Sequence, residues 1–275
     1  MIRLLVALAP EARPLIDHFR LRRRAGTDAY PIYENDTMGL VVSGVGKVRA
    51  AAAVAYLHAL RGPVVDAAWL NIGIAGDRAR AVGTGVLAHR IRDATTHKHW
   101  YPPLVFAPPC ETAALLTVDA PVRAYPSACA VDMEAAGFYP TACQFSTAEL
   151  VHCFKIVSDN DDTPMEAVSA KAVKTLVAQN LDVIEALVDK LEQLSALLAH
   201  INADPPAYDE FLRQCRFTVT ERHRLRQLLR RWHLLVPAED PLSASGPVSR
   251  PASEVLGALE RRLQMLPSQS GVRSD

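Results

Sequence analysis

Short apolar runs alternate with amphipathic stretches along most of this chain. Ile2–Leu8 is one such run, ended by Pro10, and it predicts a buried strand. Glu11–Phe19 then carries Leu15, Ile16 and Phe19 at helical spacing, so the chain passes from strand through a tight turn into helix. Leu40–Val42 predicts another strand, broken by Ser43-Gly44-Val45-Gly46, and the alanine-rich Lys47–Leu60 predicts a helix. Ala67–Leu70 runs into Asn71-Ile72-Gly73-Ile74-Ala75-Gly76, and Gly85–Ile91 and Ala114–Val118 predict further strands. Asp132–Phe145 has the character of a helix that Pro140 kinks or ends. Val151–Val157 is again a continuous buried strand, stopping at Ser158-Asp159-Asn160-Asp161-Asp162. Thr163-Pro164-Met165-Glu166 has the form of a helix start, with a cap hydroxyl, a first-turn proline and a glutamate at the third position. The helix it opens is expected to run to about His200.

Strands that are apolar throughout and alternate with helices predict an α/β fold whose largely parallel sheet is covered on both faces. Such sheets hold ligands just beyond the carboxyl ends of their strands. After His200 the pattern changes. Pro205-Pro206 marks a linker, and Thr218-Val219-Thr220-Glu221 repeats the capping pattern. Leu225, Leu228, Leu229 and Trp232 follow as an i, i+3, i+4, i+7 stripe, with Arg222, Arg224, Arg226, Arg230 and Arg231 on the other faces. A Pro/Ser/Gly-rich connection (Pro237–Pro251) precedes a last helix from about Ala252 to Leu266. The expected organisation is one domain over 1–204 and a small helical region over 205–275.

Composition narrows the functional classes. Of 275 residues, 49% are hydrophobic and 22% charged, which is a globular balance and excludes disorder throughout or a membrane bundle. Thirty basic against thirty acidic residues leave no net charge to attract nucleic acid or an anionic membrane to the molecule as a whole. The five cysteines (Cys110, Cys129, Cys143, Cys153, Cys215) are odd in number and lack Cys-x-x-Cys spacing, so reduced thiols are expected rather than a disulfide framework or zinc knuckle. His97 and His99 do not have metal-ligand spacing, and no metal is expected. The apolar N-terminal run is too short for a leader and meets Glu11 and Arg13 at once; no apolar run is long enough to span a bilayer. A cytoplasmic protein without membrane insertion is expected.

The candidate chemistry lies at strand ends. Ser43-Gly44-Val45-Gly46-Lys47 and Gly73-Ile74-Ala75-Gly76 let the backbone approach something closely, or serve as plain turns. Gly44-x-Gly46 lacks the third glycine of a dinucleotide fingerprint and the Lys-Ser/Thr of a triphosphate loop. Glu11 follows the first strand directly. Glu134 sits in an apolar stretch that suits an unpaired charge badly. Asp159 ends the most hydrophobic late strand. Taken singly these are a helix-start carboxylate, a buried acid and a turn residue. Gathered in one crevice, three carboxylates divide acid, base and hydroxyl-binding work.

Ala9-Pro10-Glu11 with Leu15 and Asp17, the Ser43–Lys47 loop, Asn71–Gly76, Val131-Asp132-Met133-Glu134-Ala135 and Ile156-Val157-Ser158-Asp159 occur in one order. That order resembles the nucleoside phosphorylase/nucleosidase superfamily, nearest its methylthioadenosine/S-adenosylhomocysteine nucleosidase branch, over about residues 1–200. The resemblance implies a three-layer α/β/α sandwich around a twisted mixed sheet, and cleavage of an N-glycosidic bond in a small purine-type nucleoside. It implies that Asp159 is the general acid at the base, oriented by Ser158, and that Glu11 activates water. Glu134 would hold the ribose hydroxyls with Met133 on the sugar, Val122 would read the base edge with its main chain, and Ala75, Gly76 and Gly44 would line the site. No cofactor is implied, although phosphate is possible as a co-substrate; a homo-oligomer is implied.

The sequence departs from that pattern in places. The region between Gly76 and Met133 is much shorter than in those nucleosidases, like that of members linked with hopanoid biosynthesis, and Pro121 cannot donate a hydrogen bond. His99-Trp100-Tyr101-Pro102-Pro103 either closes the altered pocket or is an ordinary packed loop. Phosphorolysis needs a cationic clamp, for which Arg13, Arg49, Arg78 and Arg80 are the candidates; Glu11 favours hydrolysis. Two other classes stay open: a nucleic-acid or partner-binding protein acting through the arginine-rich helix, and a nucleoside binder without catalysis.

Overall fold

The computed structural model describes residues 1–62, 64, 66–122, 125–126, 129–165, 168–245 and 251–265. The chain forms two compact units, Met1–Ile201 and Asn202–Asp275. The first runs β1 (Ile2–Val6), α1 (Ala9–His18), β2 (Arg22–Arg23), β3 (Ile32–Glu34), β4 (Met38–Val42), α2 (Lys47–Arg61), β5 (Ala68–Gly76), β6 (Gly85–Asp93), β7 (His99–Trp100) and β8 (Glu111–Thr117). It continues with β9 (Ala130–Asp132), α3 (Ala135–Ala142), β10 (Val151–Asp159), α4 (Ala170–Gln179) and α5 (Leu181–Asn202).

The strands share one mixed sheet. β1, buried along its whole length, lies parallel to β4 on one side and β5 on the other, and β10 is parallel to β5. Antiparallel pairings add β3 and β2 beyond β4. On the other side β10 pairs with β6, β6 with β8, β8 with β9, and β9 returns to β5. Those five strands therefore close into a ring. The nine-residue β5 makes this possible by changing partners along one edge. It pairs with β1 up to Asn71 and with β9 only at Gly76, leaving a gap in between.

Burial on both faces follows from the strand pattern. Alternate residues such as Leu4, Val6, Leu70 and Ile72 pack with Leu15 of α1, Val177 of α4 and Ile184 and Leu187 of α5. The opposite face, with Leu5, Val41 and Trp69, packs on Ala50, Val54 and Leu57 of α2 and Phe138 of α3.

Three helix expectations need correction. Thr163-Pro164 does not start a helix: Asn160 Oδ1 accepts from the N–H groups of Asp162 (3.1 Å) and Thr163 (2.8 Å), making a turn. Glu166 of that pattern lies outside the described residues. The start is at Ser169, whose hydroxyl accepts from Ala172 N at 3.1 Å. The long helix is also two helices, divided at Asn180, whose amide donates to the carbonyls of Gly83 (3.1 Å) and Leu176 (3.0 Å). Asp132 ends a strand rather than starting a helix, because its register pairs it with Thr117 of β8.

The second unit contains α6 (Tyr208–Gln214), α7 (Val219–Leu235), α8 (Pro241–Ser245) and α9 (Ala252–Gln264). Thr218 Oγ1 accepts from Glu221 N at 3.3 Å while Glu221 Oε2 accepts from Thr218 N at 2.8 Å, a reciprocal cap that starts α7. The Leu225–Trp232 stripe is buried with Val255, Leu256, Leu259 and Leu263 of α9 and with Tyr208 and Phe211 of α6. Of the arginines on α7, Arg224 pairs with Glu260 at 2.6 Å and Arg226 with Asp204. Among the described residues, no helix is long and apolar enough to cross a membrane.

Candidate active site

The gap where β5 changes partners opens into a cavity of about 240 Å³ at the carboxyl ends of β1, β5 and β10. Glu11, the third residue of α1, points into it and is 1% exposed. Its Oε2 accepts from the main-chain N–H groups of Ala7 (2.9 Å) and Leu8 (2.8 Å), and its Oε1 from Ile74 (3.0 Å). Ile74 lies on the edge of β5 between its β1 and β9 pairings, so the carboxylate takes the place of a missing strand partner. Burial pushes Glu11 up to about pH 7, against the opposing pull of the Lys155 ammonium and the Leu8 and Ile74 donors.

Glu134 immediately precedes α3, and its Oε1 accepts from Gly46 N at 2.9 Å. Gly46 comes this near because Gly137 lets α2 and α3 touch: a Cβ at Gly137 would lie 2.1 Å from Lys47 O. Burial raises the Glu134 pKa, Lys155 opposes the rise and Asp132 adds to it. Lys155 is the buried cation behind both acids. Its Nζ is 3.0 Å from Asp132 Oδ2 and 3.8 Å from Glu134 Oε2. Burial alone would favour loss of its proton; Asp132, Glu134 and Glu11 reverse this and hold it above the ordinary lysine range. A Cβ at Gly73 would sit 3.0 Å from Glu11 Oε1 and 3.3 Å from Lys155 Nζ, so Glu11 and the ammonium flank one glycine.

Asp159 closes β10 and is 4% exposed. The hydroxyls of Ser158 and Tyr125 hydrogen-bond to its Oδ1 and Oδ2 respectively. Its main-chain oxygen accepts from Asp77 N at 3.0 Å. The cavity thus brings together Glu11, Ala75, Gly76, Val122, Met133, Glu134, Ser158 and Asp159. Gly44 does not join them. It adopts φ +77°, donates its N–H to Ala7 O at 3.0 Å, and lines a separate depression with Tyr30 and Arg49. Val45 is the residue of that loop that reaches the cavity.

The anion-clamp candidates are engaged or placed elsewhere. Arg13 pairs with Asp17 (3.0 Å), Arg78 with Asp161 (3.2 Å), and Arg80 with Asp77 (2.7 Å) and Glu111 (3.3 Å). Among the described residues, neither an arginine nor a lysine lines the cavity. His99 and Trp100 form β7 on the edge of β6, and none of the His99–Pro103 run reaches the cavity.

Three contributors escaped sequence reasoning. Lys155 lay inside a run read as apolar, although a charge at the centre of a doubly covered strand was itself the signal. Tyr125 and Met165 come from loops whose course no periodicity predicts.

No family model matches the sequence, and no curated protein matches it. Solved structures do match. The 5′-methylthioadenosine nucleosidase of Arabidopsis thaliana aligns with TM-score 0.58 at 17% identity, covering 69% of this chain and 95% of its own. The 5′-methylthioadenosine/S-adenosylhomocysteine nucleosidase of S. pneumoniae gives 0.53 at 21% identity over 66% and 96%. The futalosine hydrolase of Helicobacter pylori gives 0.53 at 15% identity over 69% and 97%. What this chain shares with them at these identities is the fold, and the α/β architecture expected from the motif order is the one found.

Proposed function

We propose that this chain hydrolyses the N-glycosidic bond of a purine-type nucleoside. The observation that carries the reading is the convergence of Glu11, Glu134 and Asp159, far apart in sequence, on one cavity of nucleoside-compatible size in a nucleosidase fold. Bond breaking leaves an oxocarbenium-like sugar and negative charge on the departing base. Asp159, oriented by Ser158, supplies a proton to the base. Glu11, with a pKa near 7, takes a proton from water at neutral pH, and that water attacks C1′. Glu134 accepts from the ribose hydroxyls and favours the cationic sugar, while Met133 and Val122 pack on the sugar and base.

The acidic character of the described lining favours water over a phosphate dianion as the nucleophile. The reading needs no cofactor, assigns the reaction to residues 1–204, and includes self-association in a cytoplasmic setting. The ion pairs that occupy Arg224 and Arg226 weigh against α7 as a nucleic-acid surface. The test is chromatography of adenosine, inosine, guanosine and 5′-methylthioadenosine after incubation with the protein, with and without phosphate. Free base without phosphate is expected. Base release only with phosphate would make the enzyme a phosphorylase, and none in either buffer would end the reading.

A further inference from the structure

Two hydroxyl groups converge on the Asp159 carboxylate, and only Ser158 is its neighbour in the chain. The second, Tyr125, is 34 residues away in the chain and meets Oδ2, leaving Oδ1 to Ser158. Space for it is provided at Gly76. A Cβ there would lie 2.3 Å from Tyr125 Cε1, 2.7 Å from Cζ and 2.9 Å from Asp159 Oδ2. Gly76 is paired with both Val131 of β9 and Asp159 of β10, at the point where the strand ring closes. The absent side chain therefore gives the phenol a slot against the carboxylate.

We propose that Tyr125 is a positioning residue for proton delivery, its phenol donating to Asp159 and stabilising the carboxylate left when the proton moves to the departing base. The inference rests on the glycosidase reading. In the step, the Asp159 proton passes to a base nitrogen as the glycosidic C–N bond breaks and its electron pair goes to the base. Water gives its oxygen to C1′ and a proton to Glu11. A hydrogen bond to an ionised acceptor is stronger than one to the neutral acid, so the contribution of Tyr125 grows as Asp159 becomes charged. Among the described residues, the titratable groups that line the cavity with Tyr125 and Asp159 are Glu11, Asp132 and Glu134, and Asp77 donates its N–H to the Asp159 carbonyl. All are acids, so hydroxyl donors are the groups at hand to receive that new charge.

Tyr125→Phe keeps the ring and removes the donor. With the nucleoside of the above panel that the wild type cleaves fastest, kcat is expected to fall about 10- to 100-fold while KM stays within about threefold. The shape of the pH–rate profile should also change in this variant, a readout that a merely structural role would leave unmoved. Tyr125→Ala, which also removes the ring, should lose more and raise KM. Wild-type kcat and an unmoved profile in Tyr125→Phe, or a gain in kcat/KM from clearing an obstructing side chain, would overturn the role while leaving the glycosidase reading intact. Absence of base release by the wild type would overturn both.

Discussion

The two units of this chain treat charge in opposite ways. Among the described residues, Met1–Ile201 buries Arg3, Glu11, Asp77, Asp93, Asp132, Glu134, Lys155 and Asp159, whereas the core of Asn202–Asp275 is apolar and keeps its charges outside. Moving a charge out of water costs several kcal/mol per ion, and pairing inside only partly offsets this. The helical unit shows that this chain can form a core without that cost. Where the first unit accepts it, Glu11, Asp132, Glu134 and Asp159 line a cavity, and Lys155 pairs with Asp132 from outside that lining. Arg3 is a different case: it donates to Gly62 O at 2.7 Å, contacts His58 Nδ1 at 2.9 Å and lies over Trp69, so it fastens β1 to its neighbours.

The largest expected effect strikes that charged region through its chemistry. Asp159→Asn should lower base release about 10³-fold in single-turnover assays while still binding product base. Turnover near the wild-type rate would remove Asp159 from the acid role. Next comes stability. Lys155→Met leaves Asp132 and Glu134 without their buried cation and should cost about 3–5 kcal/mol in urea unfolding. A loss under about 1 kcal/mol would mean that the network is held by its other hydrogen bonds, such as Thr117 Oγ1 to Asp132 at 2.7 Å.

A smaller effect is read by pH. Glu11 must be ionised to accept a proton, so kcat/KM should fall about tenfold per pH unit below about pH 7. Folding stability should move the other way. The folded chain retains a proton that the unfolded chain releases near 4.5, so this group makes stability decline as pH rises from about 4.5 to about 7. A rate profile flat from pH 5 to 8 would assign water activation elsewhere. The smallest effect belongs to the helical unit. Arg224→Ala breaks a half-exposed pair with Glu260 and should cost about 0–1 kcal/mol without changing base release. A drop above 2 kcal/mol would show that the contrast between the units is less sharp than their cores suggest.

Much of this was legible in the chain. The runs of β1, β5 and β10 are strands because their residues are buried on both faces, and burial of that kind is written as mostly apolar sequence, here interrupted at Arg3, Asn71, His152 and Lys155. The cap and stripe of α7 are local features, readable within five turns of helix. β2 and β3 were not legible: Arg22–Arg23 and Ile32–Glu34 carry little pattern and owe their conformation to the edge that β4 offers. The break at Asn180 was missed for a similar reason, since its amide is anchored by Gly83, far away in sequence.

By itself, then, the sequence determined the alternation of elements, the burial of the long strands, the amphipathic face of α7 and the placing of carboxylates at strand ends. These depend on spacing between near neighbours, which fixes which side chains share a face. Tertiary structure alone decided that the sheet closes into a ring, that Gly44 turns away while Tyr125 comes in, and that Lys155 meets Asp132 and Glu134. Such pairings join segments distant along the chain through strand register, and the field that a buried charge feels is set by whichever groups that register brings within a few ångströms.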